Sequence, residues 1–171
     1  MSRPPAMRRP TALAAIRLLV LDVDGVLTDG SLRYNSAGES EKIFHVRDGH
    51  GLKALARAGV IIAVISGRDS AAVTRRCAEL GISELQQGVD DKAAAFAGLI
   101  ARLGIAAREC AAIGDDTPDV PLLQQVGLAI SVADAHTDAR RVAHRRTRLP
   151  GGRGAVREIC DALLAARARR R

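Results

Sequence analysis

Two aspartates directly after an apolar run form the most chemically suggestive pattern in the chain. Residues 16–21 (IRLLVL) have the character of a buried strand, and Asp22-Val23-Asp24-Gly25 comes next. Side chains two residues apart on an extended chain point to the same side. One carboxylate of such a pair can attack a substrate while the other moves protons. The pattern therefore indicates nucleophilic catalysis combined with general acid–base catalysis.

A calcium-binding loop is the alternative interpretation of this motif, since Asp-x-Asp-Gly also occurs in EF-hands. Counted from Asp22, an EF-hand loop requires glycine at its sixth position and glutamate at its twelfth. The chain has Leu27 and Arg33 at these positions, and the motif follows a strand-like run in place of a helix. The sequence therefore excludes an EF-hand.

A hydroxyl and a guanidinium follow a second apolar run, at Ser66-Gly67-Arg68. Residues 60–65 (VIIAVI) are continuously apolar and rich in β-branched side chains, which is typical of a central parallel strand. Ser66 and Arg68 beside a flexible glycine supply donors for phosphate oxygens. The same three residues also fit an ordinary loop that enters a helix, and the motif alone does not separate these interpretations.

Lys92 stands at the predicted start of a helix, where a positive charge opposes the helix dipole. A single lysine on a helix is usually a solvated surface residue, so Lys92 also has an ordinary interpretation. An anion shared by Lys92 and the helix N-terminus would remove the electrostatic conflict. The position thus favours, without requiring, an anion-binding role.

Residues 114–119 (GDDTPD) place three acids within five positions after a further apolar run. A helix start with proline at its first position accounts for the Thr-Pro pair but hardly for three acids. Carboxylates crowded in this way repel one another, and a divalent cation relieves the repulsion. Mg²⁺ prefers oxygen ligands and takes few of them from protein. We therefore predict an open Mg²⁺ site formed by Asp22, a backbone carbonyl near Asp24, and Asp115.

The elements that must position these residues alternate between short apolar runs and amphipathic helical segments. The predicted strands are residues 16–21, 60–65, 109–113 and 127–132, and the predicted helices lie near residues 50–58, 69–80, 91–103, 118–125 and 155–167. This alternation predicts a three-layer α/β fold with a doubly wound, Rossmann-like, mostly parallel sheet. Ligands of such sheets bind outside the carboxyl ends of the strands, so we expect the motifs to converge there.

Residues 28–44 (TDGSLRYNSAGESEKIF) interrupt the alternation. Alternating patterns on both sides of the turn-rich residues 35–38 predict a β-hairpin that projects after the first strand, too short to be a cap domain. The segment carries four large apolar side chains: Leu32, Tyr34, Ile43 and Phe44. An isolated hairpin is marginal in water, so we expect hairpins of several subunits to associate beside a neighbour's active site.

The net charge of +7 arises mainly at the two ends of the chain. Eight arginines in residues 1–17 and 167–171 leave 18 basic and 19 acidic residues in between. We interpret residues 1–15 and 167–171 as flexible basic tails around one domain over residues 16–166. With one Tyr, two Phe and no Trp, the chain has little surface for base stacking, so specific nucleic-acid binding is not expected.

We expect a cytoplasmic protein without membrane contact. No apolar run approaches the roughly 20 residues that span a bilayer. The N-terminal apolar stretch ends at Asp22, and no small-residue cleavage site follows it. Cys77, Cys110 and Cys160 are widely spaced without a CxxC pair, which argues against zinc or redox sites and fits buried thiols in a reducing compartment.

Taken together, DVDGVLTDG, SGR, the Lys92 position and GDDTPD resemble the four motifs of the haloacid dehalogenase superfamily of phosphohydrolases, in order and at compatible spacing. Within that superfamily the chain is most similar to the capless phosphatases of acidic sugar phosphates that make a lipopolysaccharide precursor. Three further segments carry this similarity: HVRDGHG at 45–51, VADAH at 132–136 and GGRGAVRE at 151–158. The resemblance covers about residues 16–166, without departures in the catalytic motifs.

The resemblance implies a two-step reaction. Asp22 would attack phosphorus in line and become an aspartyl phosphate, as phosphoryl transfer to a carboxylate requires. Asp24 would protonate the departing sugar alkoxide and then activate the water that breaks the acyl phosphate. Ser66 and Lys92 would hold the equatorial phosphoryl oxygens.

The resemblance also implies the surrounding sites and the assembly. Mg²⁺ would be ligated by Asp22, Asp24 and Asp115, with Asp116 and Asp119 orienting the ligands. The substrate-binding residues would be Asp24, His45, Val46, Arg47, Asp48, Gly49, Lys53, Arg68, Arg76 and Lys92. Members of the capless group form homo-oligomers, so a tetramer is expected.

Three alternatives stay open at this point. The first is a phosphatase for a different sugar acid phosphate, such as a nonulosonate 9-phosphate, because the motifs do not determine the sugar. The second is a phospho-accepting receiver domain, whose acidic pair would precede the acceptor, whereas here DxD comes first and GDD late. The third is a non-catalytic binding protein, which the intact acids of all four motifs disfavour.

Overall fold

The computed structural model describes residues 10–38 and 40–169. In chain order the strands are β1 (Leu18–Leu21), β2 (Arg33–Tyr34), β3 (Ser40–Glu41), β4 (Ile61–Ile65), β5 (Glu84–Gln86), β6 (Cys110–Gly114), β7 (Leu128–Ser131) and β8 (Arg145–Arg146). Six of them form one sheet in the order β5-β4-β1-β6-β7-β8, with every neighbouring pair parallel. The predicted parallel α/β sheet is thus confirmed.

The helices connect these strands and form two groups. They are α1 (Val46–Arg57), α2 (Ala71–Leu80), α3 (Lys92–Leu103), α4 (Val120–Leu123), α5 (Thr137–Val142) and α6 (Ala155–Ala168). Helix α1 packs against α2 and α6, whereas α4 packs against α3 and α5. Two separate helical groups around one sheet give the predicted three-layer arrangement. Within the described part of the chain, no helix has the length and apolar character that crossing a bilayer requires.

An aliphatic core holds the sheet between the helices. All four residues of β1 are buried, because a central parallel strand is covered on both faces. Small side chains at Ala111 and Ala112 of β6 let its neighbours pack closely. Phe96 is fully buried, but Tyr34 is exposed, so aromatic rings contribute little to this core.

The strand register brings the carboxyl ends of three strands to one edge. Leu21 of β1 is in register with Val64 of β4 on one side and Ile113 of β6 on the other. The chain continues from β1 to β4 on one side and later returns to β6 on the other. This reversal of strand order creates a crevice at the end of β1, the usual ligand site of such sheets.

The segment between β1 and α1 forms the predicted hairpin. Strands β2 and β3 pair antiparallel across a turn in which Gly38, at φ +78°, donates its N–H to the Asn35 carbonyl at 3.0 Å. Tyr34 and Ile43 are 57% and 64% exposed, so the hairpin leaves apolar surface uncovered in the single chain. Phe44 differs from the prediction because it packs against the core, with the Arg76 guanidinium 5.9 Å from the ring centroid.

Three short elements, β5, β8 and α5, were not predicted from the sequence. Strands β5 and β8 have three and two residues, without a continuous apolar run. Helix α5 has only six residues, too few for a helical periodicity to be recognised. Strands β5 and β8 are the two edge strands of the sheet, and α5 lies beside it. Fewer residues are buried at these places, so the apolar pattern in the sequence is weaker.

The folded region extends beyond the predicted domain boundaries at both ends. Thr11 donates its N–H to the Gly127 carbonyl at 2.8 Å, and a 3₁₀ turn follows at Leu13–Ala15. Arg167 donates from its guanidinium to two main-chain carbonyls at 3.0 Å each, so it fastens α6 to the domain. The remaining residues of the predicted tails, 1–9 and 170–171, lie outside the described residues.

Candidate active site

The loop after β1 is organised by the buried side chain of Thr28. Its hydroxyl oxygen accepts from the N–H of Gly25 at 3.4 Å and of Gly30 at 3.2 Å, and the hydroxyl donates to the Val23 carbonyl at 3.4 Å. These bonds fold the chain back just after Asp22. Thr28 lies inside the DVDGVLTDG motif, so its presence was visible in the sequence although its role was not.

Two glycines allow other segments to approach this loop closely. Gly25 has φ +87°, and a Cβ there would lie 2.0 Å from a carboxylate oxygen of Asp115. A Cβ on Gly151 would lie 1.7 Å from the carbonyl oxygen of Gly25. Only glycine fits at both positions. The backbone of the GGRG segment therefore packs directly against the loop after β1.

Lys92, at the first position of α3, lies between two carboxylates. Its Nζ is 2.7 Å from Oδ1 of Asp22 and 2.6 Å from Oδ1 of Asp119, and its side chain is 7% exposed. Burial alone would lower the pKa of Lys92, but the two carboxylates outweigh it, so the pKa is raised. The positive charge of Lys92 at the start of α3 opposes the helix dipole, and the carboxylates of Asp22 and Asp119 offset this unfavourable interaction.

Asp119 uses both of its oxygens within the site. Oδ1 accepts from Lys92, while Oδ2 accepts from the N–H groups of Asp115 at 2.9 Å and Asp116 at 3.2 Å. The Asp115 carbonyl in turn accepts from the N–H of His136 at 2.7 Å, which gives the VADAH segment a positioning role. Asp119 thus orients the segment that carries Asp115.

Negative charge crowds the end of the sheet and favours a cation. Burial, followed by the nearby Asp119 carboxylate, raises the pKa of Asp22 to about 6. Burial, followed by the neighbouring carboxylates, raises the pKa of Asp115 to about 8. Oxygens of Asp22, Asp115 and Asp119 lie within 4.8 Å of one another. Because hard carboxylate oxygens suit Mg²⁺ and Asp119 is already engaged, the residues present fit a Mg²⁺ ion held by Asp22 and Asp115.

The predicted catalytic residues face one open cavity of about 340 Å³. Its lining includes Asp22, Asp24, Ser66, Arg68, Lys92 and Asp115. Ser66 is 2% exposed, and its hydroxyl oxygen accepts from the N–H of Arg68 at 3.3 Å. The hydroxyl hydrogen is therefore left to donate to a ligand. The structure brings the four motifs together although they are spread over about 100 residues.

Most of the predicted substrate-binding residues lie outside this cavity. Asp24, Arg68 and Lys92 line it. The others do not: His45, Val46, Arg47, Asp48, Gly49, Lys53 and Arg76. Arg47 instead lines a second cavity of about 480 Å³ that is rich in arginines.

Two of these outlying residues have contacts that explain their position. Asp48 is 1% exposed, and its Oδ1 accepts from the N–H of Arg157 at 2.8 Å, in the first turn of α6. This bond ties α1 to α6, and burial raises the pKa of the Asp48 carboxyl. The Arg76 guanidinium packs against Gly49, where a Cβ would lie 2.2 Å from it, and pairs with Glu79. Within one chain, Asp48 and Arg76 therefore serve packing between helices.

Lys42 is a site residue that the sequence analysis did not identify. It follows β3, and its Nζ forms an ion pair with Oδ1 of Asp24. The Lys42 side chain is 3% exposed. A single lysine in a polar hairpin gives no sequence signal of such burial, so only the folded structure reveals it.

Comparison with known proteins identifies the family of the chain. A family model described as haloacid dehalogenase-like hydrolase matches residues 45–127. The 3-deoxy-D-manno-octulosonate 8-phosphate phosphatase KdsC of Escherichia coli K12 is 48% identical over 151 residues, 88% of this chain and 80% of that protein. The Yersinia pestis protein of the same name is 46% identical over 153 residues, 90% of this chain and 82% of its own length.

Solved structures with the same name have the same fold. The phosphatase from Moraxella catarrhalis, crystallised with magnesium ion, phosphate ion and KDO, superposes with a TM-score of 0.90 at 47% identity, covering 92% of this chain and 90% of that one. The cobalt-bound Haemophilus influenzae structure gives 0.89 at 42% identity, covering 92% of each chain. The chain therefore belongs to the haloacid dehalogenase-like hydrolase family, in the group of the 3-deoxy-D-manno-octulosonate 8-phosphate phosphatases.

Proposed function

We propose that this chain is a Mg²⁺-dependent phosphatase that hydrolyses 3-deoxy-D-manno-octulosonate 8-phosphate through a phosphorylated Asp22. The observation that carries the proposal is the convergence of Asp22, Asp24, Ser66, Lys92 and Asp115 on one cavity at the end of β1. These groups supply the positioning and charge that phosphoryl transfer requires. The named substrate of the similar enzymes supplies the choice of sugar.

Asp22 is the nucleophile of the proposed reaction. One of its oxygens attacks phosphorus in line, the new O–P bond forms, and the bond from phosphorus to the sugar oxygen breaks. The ammonium of Lys92 on Oδ1 fixes the orientation of the Asp22 carboxylate. The short strand β1 holds the backbone of Asp22 rigidly against β6, where its N–H donates to the Ile113 carbonyl at 3.1 Å.

Asp24 is the general acid–base of both steps. It donates a proton to the departing sugar oxygen and later takes a proton from the water that attacks the phospho-Asp22 group. That second attack breaks the Asp22–phosphate bond and releases inorganic phosphate. The Asp24 side chain is 23% exposed at the cavity, so both the sugar oxygen and water can reach it.

The transferred phosphoryl group is held by donors that converge from separate strands. The hydroxyl of Ser66 after β4 and the ammonium of Lys92 on α3 both line the cavity. Asp22, the backbone carbonyl of Asp24, and Asp115 would hold Mg²⁺, with Asp116 and Asp119 orienting them. When bound, Mg²⁺ supplies positive charge that offsets the carboxylates and the phosphoryl oxygens.

We further propose that the enzyme is a cytoplasmic homotetramer in which hairpins of different subunits associate. The exposed Tyr34 and Ile43 side chains are the apolar surface that this association would cover. Residues 45–49 directly follow the hairpin and lie outside their own chain's cavity, and the Val46 side chain is 77% exposed. In the tetramer they would border the sugar at a neighbour's cavity. The buried free thiols suit a reducing compartment.

Phosphate release from candidate sugar acid phosphates tests the proposed substrate. The purified protein with Mg²⁺ is assayed against 3-deoxy-D-manno-octulosonate 8-phosphate, a nonulosonate 9-phosphate and p-nitrophenyl phosphate, with Asp22→Asn as the control. We expect the highest kcat/KM for the octulosonate. A higher kcat/KM for the nonulosonate would overturn the choice of substrate, and an inactive parent protein would overturn the proposed activity.

A further inference from the structure

Lys42, at the end of the hairpin, contacts the proposed general acid–base Asp24. The residue follows β3 directly and precedes the last residues before α1. Its Nζ pairs with Oδ1 of Asp24, 18 residues earlier in the chain. The Lys42 side chain is 3% exposed, compared with 23% for Asp24. The ammonium is therefore the more deeply buried member of the pair.

Burial of this kind distinguishes the pair from an ordinary surface ion pair. A lysine has a long flexible stem and normally keeps its ammonium in water. Removing the ammonium from water is costly unless a carboxylate compensates it, and solvent screens such a buried pair only weakly. Asp24 is therefore the anchor that keeps Lys42 in place, and Lys42 in turn restrains the Asp24 carboxylate.

The contact gives the two carboxylate oxygens of Asp24 different surroundings. Oδ1 accepts from the Lys42 ammonium, so Oδ2 is the oxygen left for a ligand. An acid–base group works only if its reactive oxygen is held within hydrogen-bond reach of the proton that it transfers. Lys92 restrains Asp22 in the same way, so each acid of the Asp22-Val23-Asp24 segment has its own buried lysine.

We propose that Lys42 is a positioning residue for Asp24 and thereby makes the hairpin part of the catalytic apparatus. The inference rests on the proposed phosphatase function. Lys42 fixes the Asp24 carboxylate so that Oδ2 faces the sugar oxygen in the first step and water in the second. A change in the position of the hairpin relative to β1 changes this alignment.

Two substrates with different leaving groups distinguish a positioning role of Lys42 from general structural support. A sugar alkoxide must be protonated as it departs, whereas p-nitrophenolate leaves without a proton. Lys42→Met keeps the length of the side chain and removes its charge. We expect phosphorylation of Asp22 by the sugar phosphate, followed in single-turnover experiments, to slow by about 100-fold, as for a misplaced catalytic group. Phosphorylation by p-nitrophenyl phosphate should change by less than about threefold, and the concentration of each substrate that gives half the maximal phosphorylation rate should be nearly unchanged.

The second step provides an independent readout. Hydrolysis of phospho-Asp22 needs Asp24 as a base whichever substrate formed it. Lys42→Met should therefore accumulate phosphoenzyme with p-nitrophenyl phosphate and show a burst of p-nitrophenolate. Arg75→Met, on the exposed face of α2 and outside both the hairpin and the cavity, is the control and should behave as the parent.

Chemical rescue tests the ammonium directly. Lys42→Cys shortens the side chain and leaves space beside Asp24, which lines the open cavity, so 2-bromoethylamine can reach this thiol. The alkylated residue is a lysine analogue with a sulfur in the stem, and it should restore most of the lost rate. The native Cys77, Cys110 and Cys160 are buried, and burial raises their pKa to about 11 or 12, so the alkylated parent should keep its activity. Lys42→Arg keeps a cation beside Asp24 and is the second variant for the case in which Lys42→Met fails to fold; it should retain most of the rate on the sugar phosphate.

The outcomes separate this inference from the proposed function. If the parent forms phosphoenzyme and Lys42→Met has the same rates as the parent on both substrates, the role of Lys42 is contradicted and the proposed function is not. Equal losses on both substrates, without a burst and without rescue, would show merely structural support and would also overturn the inference. A parent that forms no phosphoenzyme contradicts the proposed function and the inference that rests on it.

Discussion

The ammonium of Lys92 lies 2.6 Å from Oδ1 of Asp119, and this contact joins the start of α3 to the loop after β6. The same ammonium reaches Asp22 at the end of β1, so one side chain connects the start of α3 to the ends of β1 and β6. Asp119 in turn fixes the backbone of Asp115. The proposed nucleophile Asp22, the proposed phosphate-binding Lys92 and the segment that carries Asp115 are therefore one hydrogen-bonded unit.

Removal of the Asp119 carboxylate should disturb this unit without removing a reacting group. We expect Asp119→Ala to lower kcat by about 10- to 100-fold and to weaken Mg²⁺ activation, as is usual when a partner of a metal ligand is lost. Titration of activity with Mg²⁺ measures both effects. Asp161→Ala, an exposed acid on α6, is the control and should leave both parameters unchanged. An unchanged Mg²⁺ requirement in Asp119→Ala would contradict the orienting role.

Asp22→Asn should abolish turnover and leave the fold intact, because the amide keeps the shape but cannot attack phosphorus. We expect a loss of at least about 10³-fold, comparable to other removed nucleophiles. Steady-state kinetics and acid-stable labelling with a ³²P-substrate measure it, and circular dichroism checks the fold. Residual activity within tenfold of the parent would refute Asp22 as the nucleophile.

Mg²⁺ should support activity, and Ca²⁺ should not. Ca²⁺ takes more oxygen ligands at longer distances, and it would displace the attacking carboxylate from its place beside Lys92. Rates measured after chelation and addition of each ion test this. Comparable rates with both ions would argue against an open site built on Asp22 and Asp115.

The stability of the metal-free protein should fall as the pH rises. The folded-state pKa values of Asp22 and Asp115 are about 6 and about 8, above the ordinary value of 3.8. The folded protein therefore holds these protons more tightly than the unfolded chain, and the stability they contribute is full below about pH 4 and is lost as the pH rises through 6 and 8. Added Mg²⁺, which needs ionised ligands, should raise the melting temperature more at pH 8 than at pH 5.

Asp115→Asn is the variant that isolates this effect. Without metal it should be more stable than the parent at pH 8 and similar to it at pH 4, since the amide cannot ionise. Melting temperatures in the presence of a chelator measure the difference between the two proteins, which removes the contribution of other titrating groups. A difference that does not depend on pH would contradict the assigned proton uptake.

The placement of the predicted catalytic acids at one edge of the sheet could be inferred from the sequence, because these acids directly follow strong strand signals. The Asp22–Gly25 motif follows four consecutive apolar residues, Leu18–Leu21, so both its strand and its edge of the sheet could be predicted. Lys42 and Asp48 could not be placed, because their partners lie 18 and 109 residues away in the chain. A contact between one charged residue and a distant partner produces no periodic pattern of apolar and polar residues in the sequence. The short strands β5 and β8 could not be predicted for a related reason, because they are edge strands with polar residues and little burial.

The association of hairpins can be tested through its exposed apolar side chains. Leu32 and Tyr34 are 48% and 57% exposed in the single chain, which is costly for a small projection unless another surface covers them. We expect light scattering to give a tetramer for the parent and a monomer for the Leu32→Asp, Tyr34→Asp double variant. Deletion of residues 31–41 should have the same effect.

Activity should follow the oligomeric state in a substrate-dependent manner. If residues 45–49 border a neighbour's cavity, a monomer loses contacts to the sugar but keeps Asp22, Lys92 and the metal-binding acids of its own chain. The double variant should therefore show a much higher KM for the sugar phosphate, while turnover of p-nitrophenyl phosphate falls far less. The double variant retains Lys42, so this loss is separable from that of Lys42→Met, which should lower kcat in an intact tetramer. An intact protein that is monomeric and fully active on the sugar phosphate would refute the shared site outright.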